Sequence, residues 1–214
     1  MYEGLDLNDA TWDGLRAVGY KDTNTSRTQI KSTVNTYKNY EQSVCMLQKG
    51  QKLLDYGSGL GHGSAFLYDS GYNVESFEPY YNSEKGVFCP HHTDSQDLKS
   101  EEYDMVINHA VLNVVPRVTR EYILRNIFRV LKMNGVAYIS AMGWNNIKER
   151  FKQKDALVVG PREIVTKTGT FQKGYTQKEF ELYVQSVLPG CNVEKSGYGD
   201  IGVRIVKKKR LQEV

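Results

Sequence analysis

Short apolar stretches alternate with segments of helical spacing through the middle of this chain. Four of the apolar stretches have the length of a strand and are bounded by turn residues. They predict β-strands that end at residue 55 and cover residues 73–78, 103–108 and 136–141. A helix is predicted before the last strand by apolar residues at helical spacing, namely Leu124, Ile127, Phe128 and Leu131. Gly135 is expected to end that helix in a left-handed conformation.

The C-terminal part of the chain has the pattern of a helix followed by a hairpin. Thr176 and Glu179 form a capping box in front of apolar positions at helical spacing. Two short strands, at 192–196 and 201–207, flank a glycine-containing turn, which is typical of an antiparallel hairpin. Residues 143–175 show no clear periodicity. Because long irregular segments in compact domains are usually functional or mobile, we expect this segment to determine substrate specificity.

The most informative stretch follows the first predicted strand, where glycine occupies alternate positions at Gly57, Gly59 and Gly61. Glycine serves where the backbone turns sharply or lies against a ligand. A strand, such a turn and a helix N-terminus in this order form a nucleotide-binding arrangement. The spacing does not match the dinucleotide fingerprint, and the lysine and hydroxyl of a P-loop are absent. Asp55, at the end of the strand, would attract a cation and repel a pyrophosphate.

The pattern Asp-x-Gly-x-Gly-x-Gly from Asp55 to Gly61 resembles motif I of the class I S-adenosylmethionine-dependent methyltransferases. The resemblance covers about residues 50–142. It implies an α/β fold: a Rossmann-like, doubly wound, mostly parallel seven-stranded sheet with a C-terminal antiparallel hairpin. It also implies S-adenosylmethionine (SAM) as the methyl donor and S-adenosylhomocysteine (SAH) as the product. SAM carries an ammonium and a sulfonium but no phosphate, which agrees with a carboxylate at Asp55.

The resemblance also implies which residues bind the cofactor. Glu78 lies at the end of the second strand, roughly 20 residues after the middle glycine, where an acidic residue accepts the ribose hydroxyls. Asp94 falls where the family places a polar residue on the adenine amino group, with Asp97 as a competitor. The complete predicted cofactor site consists of Asp55, Gly57, Ser58, Gly59, Gly61, Glu78, Pro79, Asp94 and Asn108.

Catalytic candidates lie in the stretch 108–116, which is similar to the family's loop beside the transferable methyl group. His109 is the predicted general base if the acceptor must lose a proton, because an imidazole can take a proton near neutral pH. This histidine could equally pack under the adenine or bind the backbone. Asn108 could orient an amine acceptor. No metal site is expected, because adjacent histidines such as His91 and His92 rarely bind one ion.

Residues 1–50 are interpreted as a helical extension or lid in front of a methyltransferase domain over residues 51–214. Apolar and aromatic residues at helical spacing predict a helix over about 30–47, with one face packed on the sheet. Family members often close the site with such a segment. Arg27 and its neighbours are therefore candidates for contact with cofactor or substrate.

The sequence does not define the methyl acceptor. The stretch 108–116 lacks both the Pro-Pro-aromatic signature of nucleic acid amino-methylation and the Pro-Cys nucleophile of cytosine carbon methylation. Basic residues are concentrated in 148–178 and 204–210 and could contact phosphates. In that case Trp144, Phe171 or Tyr175 would stack on a base. We slightly favour nucleic acid or a modified nucleotide; a small metabolite and a non-catalytic SAM-binding module are the alternatives.

Composition adds little to this picture. The formal net charge is +3 and 40% of the residues are hydrophobic, as in ordinary globular proteins. No apolar run approaches the length of about 18 residues needed to span a bilayer. Three widely spaced cysteines suggest neither a disulfide framework nor a zinc site. With no signal-peptide pattern at the N-terminus, we expect a cytoplasmic protein.

Overall fold

The computed structural model describes residues 37–38, 41, 47–152, 156–166 and 169–208. The helices are α1 (His62–Asp69), α2 (Arg117–Val130), α3 (Trp144–Ile147) and α4 (Gln177–Val187), with 3-10 turns at Ser95–Asp97 and Lys148–Lys152. The strands are β1 (Lys52–Tyr56), β2 (Asn73–Phe77), β3 (Tyr103–His109), β4 (Leu131–Ala141), β5 (Leu157–Gly160), β6 (Glu163–Val165), β7 (Phe171–Lys173), β8 (Cys191–Ser196) and β9 (Ile201–Lys207). Within the described residues, none of these helices is long and apolar enough to cross a membrane.

A mixed sheet of six strands forms the body of the molecule, in the order β2-β1-β3-β4-β9-β8. The first four strands are parallel, and β9 and β8 are antiparallel to their neighbours. The predicted mostly parallel α/β sheet with a C-terminal hairpin is therefore confirmed, and so is the capping box of Thr176 and Glu179 on α4.

The predicted number of seven strands is too high for the part of the chain that the structure describes. Beside β2, where a seventh strand would lie, there is a single parallel bridge between Phe77 and His92. The amides of His91 and His92 both donate to the carbonyl of Ser76, at 3.0 and 3.1 Å. The stretch around this bridge contains Pro90, which cannot donate to a ladder, and it is polar at every position from His91 to Asp97. These features explain why the pairing stops after one residue.

Side chains along the central strands point alternately to the two faces of the sheet, so the hydrophobic core consists of two layers. On one face Leu54 and Val106 pack against helices α2 and α4 in a cluster that includes Leu124 and Phe180. On the other face the strand neighbours Leu53 and Ile107 join a cluster with Tyr37, Leu67 and Tyr138. Because side chains alternate across a strand, residues one position apart necessarily enter opposite layers.

The turn between α2 and β4 differs from its prediction. Helix α2 ends at Val130, and Leu131 already pairs with Tyr103 as the first residue of β4. The left-handed residue is Asn134, with φ of 62°, rather than Gly135. Asparagine tolerates this conformation better than most residues because its short polar side chain can bond locally. The pairing of β3 with β4 is shifted at this point, between Tyr103 and Met105.

The described part of residues 143–175, a segment predicted to be irregular, forms helix α3, a 3-10 turn and a three-stranded antiparallel sheet of β5, β6 and β7, here called the cap sheet. Its strands are only three or four residues long, which is too short for a visible alternation in the sequence. The cap sheet is joined to the main sheet near the ends of β3 and β4. The amide of Lys173 donates to the carbonyl of Asn113 at 2.8 Å, and the amide of Trp144 donates to the carbonyl of Tyr175 at 2.8 Å.

The N-terminal prediction can be followed at three positions. Tyr37, Lys38 and Glu41 are helical, as predicted for the segment 30–47. Arg27 lies outside the described residues. The division into an extension over 1–50 and a domain over 51–214 stays a prediction.

Candidate active site

The four parallel strands end at one edge of the sheet, and the glycine turn leaves β1 there. Gly57, Gly59 and Gly61 all have positive φ, at 85°, 61° and 81°. The amides of Gly57 and Ser58 donate to the carbonyl of Phe77 at 2.8 and 3.1 Å, so the turn rests on the end of β2. In open α/β sheets, ligands bind outside the carboxyl ends of the strands, at such a turn.

Two segments pack so closely on this turn that no side chain fits at Gly57 or at Gly61. A Cβ on Gly57 would lie 2.5 Å from Cγ2 of Val111, in the segment that follows β3. A Cβ on Gly61 would lie 2.6 Å from the carbonyl oxygen of Phe88, in the segment that follows β2. The glycines therefore let three chain segments meet at one place.

Glu78 contacts the glycine turn directly. Its Oε2 accepts a hydrogen bond of 2.8 Å from the amide of Gly59, and its Oε1 accepts one of 3.0 Å from the amide of Tyr80. Burial raises the pKa of this carboxyl, against the two backbone donors, and the nearby Asp55 raises it further. The sequence spacing of Gly59 and Glu78 thus corresponds to a physical contact.

Asp55 is buried next to the same turn, and both of its oxygens are engaged. The phenol of Tyr37 donates to Oδ1 at 2.6 Å, and the hydroxyl of Ser64 donates to Oδ2 at 2.6 Å. Burial raises the pKa of Asp55 to about 6, although both hydroxyl donors oppose that shift. Each oxygen of Asp55 thus accepts from one protein hydroxyl, and the carboxyl group lies buried beside the glycine turn.

Three buried polar atoms at this edge have no hydrogen-bond partner among the described residues: Ser58 Oγ, Asn108 Oδ1 and Asn113 Oδ1. The amide orientation of Asn108 is fixed, because its Nδ2 donates to the carbonyl of Tyr56 at 2.8 Å. A buried polar atom without a partner costs about 1–3 kcal/mol. Unpaired acceptors in the glycine turn and beside it fit a bound molecule that carries N–H or O–H groups.

His109 is the last residue of β3. Its Nδ1 lies 2.7 Å from Oγ of Ser140, and its ring packs against the rings of Tyr37 and Tyr198, with centroids 6.3 and 5.3 Å away. Burial lowers the pKa of His109 to about 4. The imidazole is therefore neutral at physiological pH and a weaker base than the sequence prediction assumes.

Asp94 is not buried together with Asp55, Glu78 and Asn108. It is exposed and caps the 3-10 turn Ser95–Asp97, where its Oδ1 accepts from the amide of Gln96 at 2.9 Å. Asp97 is exposed as well. An adenine contact by either residue stays a prediction.

The two histidines considered as metal ligands are engaged elsewhere. Nδ1 of His91 lies 3.3 Å from the amide of Ser76, and Nε2 of His92 lies 3.1 Å from Glu75. In the part of the chain that the structure describes, no group of three or more metal-ligating side chains comes together.

Sequence reasoning missed Tyr37, Ser64, Ser140 and Asn113 as members of the site. Tyr37 is one of the apolar and aromatic residues that predict the helix over 30–47, and that pattern accounts for its ring but not for its hydroxyl. Asn113 carries a signal in retrospect, since it is a polar residue flanked by Leu112 and Val114. The sequence around Ser64 and Ser140 contains no signal that would have identified them.

Comparison with known proteins decides between the possible ligands of such a site. The family model described as a methyltransferase domain matches residues 36–159, which is more than half of the chain. The chain belongs to this family. No curated protein sequence matches it significantly.

Solved structures of the same fold are distant in sequence. A protein of Pyrococcus horikoshii is 17% identical with a TM-score of 0.62, covering 96% of this chain and 100% of its own. The putative methyltransferase in complex with the Haloferax volcanii Trm112 activator is 13% identical, with a TM-score of 0.59. The match covers 94% of this chain and 99% of that one. The 1,6-didemethyltoxoflavin-N1-methyltransferase of Burkholderia thailandensis is 13% identical, with a TM-score of 0.55. The match covers 89% of this chain and 83% of that one, and the structure contains 1,6-didemethyltoxoflavin and SAH.

Family and fold together confirm the resemblance to the class I methyltransferases. The protein is a SAM-dependent methyltransferase, as predicted. The glycine turn, the carboxylate of Glu78 and the unpaired Ser58 and Asn108 suit this cofactor, because they offer a close backbone approach and acceptors for hydroxyl and ammonium groups.

Proposed function

We propose that this methyltransferase acts on a small molecule enclosed between the glycine turn and the cap sheet, and that the acceptor presents an N–H or O–H group to Asn113. The unpaired, buried Oδ1 of Asn113 carries this proposal. An amide oxygen can only accept, so its missing partner must be a donor. Asn113 also receives the amide of Lys173 on its own carbonyl, which brings the cap sheet against this segment.

Methyl transfer from a sulfonium is an in-line displacement, so the protein mainly aligns the nucleophile and excludes water. Ser140 fixes one nitrogen of His109, which leaves Nε2 as the nitrogen that can face a ligand. A neutral imidazole there can accept the N–H of the acceptor and orient its lone pair. Its low pKa means that the proton released on methylation passes on to solvent rather than staying on His109.

Nucleic acid is the second candidate acceptor, and two observations weigh against it. Phe171 and Tyr175, predicted to stack on a base, are each only 1% exposed. The third candidate, Trp144, has its ring covered by the guanidinium of Arg162 at 5.8 Å and contacted edge-on by Phe151. Base stacking needs an accessible aromatic face, which Phe171 and Tyr175 do not offer and which the half-buried Trp144 offers only in part.

The basic segments are also largely neutralised where the structure describes them. Five of their cations pair with carboxylates, namely Lys152 with Glu149, Arg162 with Glu179, Lys173 with Glu163, Arg204 with Glu194 and Lys207 with Glu101. Phosphate binding would have to compete with these pairs. A small acceptor under the cap sheet has no such cost, and the Burkholderia enzyme, of the same fold, is one that binds a small molecule.

The acceptor class can be determined directly. The protein is incubated with methyl-labelled SAM and separately with host metabolites, DNA, RNA and protein. We expect label in the metabolite fraction. Label in DNA or RNA alone would favour a nucleic acid acceptor over a small molecule.

Substitution of Asn113 tests the acceptor contact. We expect Asn113→Leu to lower kcat/KM for the labelled fraction by about tenfold or more, because a hydrogen bond to the acceptor is lost. Affinity for SAH, measured by calorimetry, should stay within about twofold. The matched control is Asn192→Leu, on the exposed surface of β8. Equal activity of the two variants would contradict the role of Asn113.

Substitution of Glu78 tests the cofactor contact. Glu78→Gln removes an acceptor for the amides of Gly59 and Tyr80 and for a ribose hydroxyl. We expect the affinity for SAH to fall by roughly 5- to 150-fold, the equivalent of about 1–3 kcal/mol. Glu84→Gln, in the same segment but exposed, is the control and should bind as the wild type does. Unchanged affinity in Glu78→Gln would exclude a cofactor role for this residue.

A further inference from the structure

We propose that Tyr37 is a positioning residue for the cofactor site: its phenol holds the Asp55 carboxylate, so that the N-terminal helical segment controls the charge that the cofactor cation meets. This inference rests on the proposed role of Asp55 in cofactor binding. Tyr37 does not itself need to touch SAM, because it acts through Asp55.

The geometry is specific to this pair. The phenol of Tyr37 is almost fully buried, and its oxygen lies 2.6 Å from Oδ1 of Asp55. The ring reaches this position across the first turn of α1, where a Cβ on Gly63 would lie only 2.2 Å from Cε2 of Tyr37. Gly63 is not one of the glycines with positive φ, so its role is to leave room for the tyrosine rather than to form the turn.

Tyr37 also joins Asp55 to the acceptor side of the site. Its ring contacts the ring of His109 edge-on, and its phenol interacts with Tyr198 in the turn between β8 and β9. The groups that face Asp55 are therefore Tyr37 and Ser64 by hydrogen bonds and Glu78 by charge, with Tyr198 and His109 packed behind Tyr37. Only Tyr37 among these comes from the N-terminal segment.

The hydroxyl donors determine whether Asp55 is charged. Burial favours the neutral acid and raises the pKa of Asp55 to about 6, while the donors Tyr37 and Ser64 favour the carboxylate. Loss of either donor therefore raises the pKa further, toward the range in which the protein works. The neutral acid would no longer attract the ammonium and sulfonium of SAM.

The pH profile of cofactor affinity tests the proposal. Affinities for SAM and SAH are measured by calorimetry between pH 5 and 8.5. In the wild type, SAM affinity should fall as the pH decreases through about 6, because Asp55 becomes neutral. The fall should be smaller for SAH, which lacks the sulfonium, and absent in Asp55→Asn. In Tyr37→Phe the midpoint should move up by about 1–2 pH units, which corresponds to the loss of one hydrogen bond to a charged group.

Two further variants make the outcome unambiguous. Ser64→Ala removes the other donor and should move the midpoint in the same direction. Tyr72→Phe removes a hydroxyl in the same core layer that bonds to Glu41 and should leave the midpoint unchanged. The positioning role of Tyr37 is wrong if Tyr37→Phe lowers SAM affinity equally at every pH. It is also wrong if Tyr37→Phe leaves the midpoint unchanged although Asp55→Asn abolishes the fall of SAM affinity at low pH. If Asp55→Asn keeps the wild-type profile, the role of Asp55 fails and the inference about Tyr37 fails with it.

Discussion

Replacing Glu163 with glutamine should lower the free energy of unfolding by about 3–5 kcal/mol, the cost of removing one partner from a buried ion pair. Glu163, on β6, is buried between two cations: its Oε1 lies 3.2 Å from a guanidinium nitrogen of Arg120 and 3.2 Å from Nζ of Lys173. Glutamine preserves the shape but leaves both cations without their shared carboxylate. Urea denaturation measures the difference.

Arg120 makes this cost large because it cannot reach water. Its side chain, on α2, is surrounded by the rings of Phe171, Tyr175 and Tyr183, with its guanidinium 5.8–6.0 Å from their centroids. It also donates to the hydroxyl of Tyr175 at 2.6 Å. In Glu163→Gln, that hydroxyl and an uncharged amide oxygen are the described hydrogen-bond partners left to a buried positive charge.

The matched control is Glu121→Gln, the same substitution on the exposed side of α2. Glu121 pairs with Arg117 at 2.9 Å, a surface pair of the kind that contributes about 0–1 kcal/mol. If both variants unfold with free energies within 1 kcal/mol of each other, the buried pair does not hold the cap sheet to α2. If Glu163→Gln is the less stable variant, acceptor turnover should decline with it, since the cap sheet covers the proposed acceptor site.

The main elements of the fold could be predicted because their signals are local. The glycine turn combines a strand end, alternate glycines and an acidic residue within seven positions, and each has a physical cause visible in the sequence. The spacing from Gly59 to Glu78 was equally informative, because a helix and a strand of ordinary length separate the two residues that now share a hydrogen bond. The capping box and the C-terminal hairpin are similar cases.

The remaining features depend on contacts that the sequence does not encode locally. The cap sheet has strands too short for periodicity, and its residues Glu163 and Phe171 contact the buried Arg120 of α2. Phe171 and Tyr175 are aromatic residues in a basic segment, as expected of a surface that stacks on bases, but their rings pack around Arg120 instead. An aromatic residue in a basic segment therefore predicts nucleic acid binding only when its ring is accessible.

The same limit applies to the cofactor site. From sequence, Asp55 is a carboxylate near a cation; in the structure its charge depends on hydroxyls from Tyr37 and Ser64. Hydroxyl partners carry no sequence signature, and Tyr37 lies 18 positions before the aspartate. Sequence therefore predicts Asp55 as a cofactor residue, whereas the pKa of Asp55 follows only from the fold.

Gly61→Ala should abolish measurable cofactor binding and lower the unfolding free energy by at least about 1–2 kcal/mol, the strain of a left-handed residue with a side chain. The added methyl group would also lie 2.6 Å from the carbonyl oxygen of Phe88. Backbone cannot rotate away as a side chain can, so the segment after β2 must move. Because Glu78 and Tyr80 begin that segment, its displacement would disturb the contact between Glu78 and Gly59.

Gly71→Ala separates strain from displacement. Gly71 has φ of 84°, close to the 81° of Gly61, but a Cβ there would meet nothing nearer than Nζ of Lys49 at 3.8 Å. The two variants thus share the conformational strain and differ in the clash. We expect both to be destabilised in denaturation, whereas only Gly61→Ala should lose SAH binding in calorimetry at a temperature where both are folded. Retention of wild-type affinity in Gly61→Ala would mean that the close packing of Phe88 on the turn is not needed to hold the cofactor.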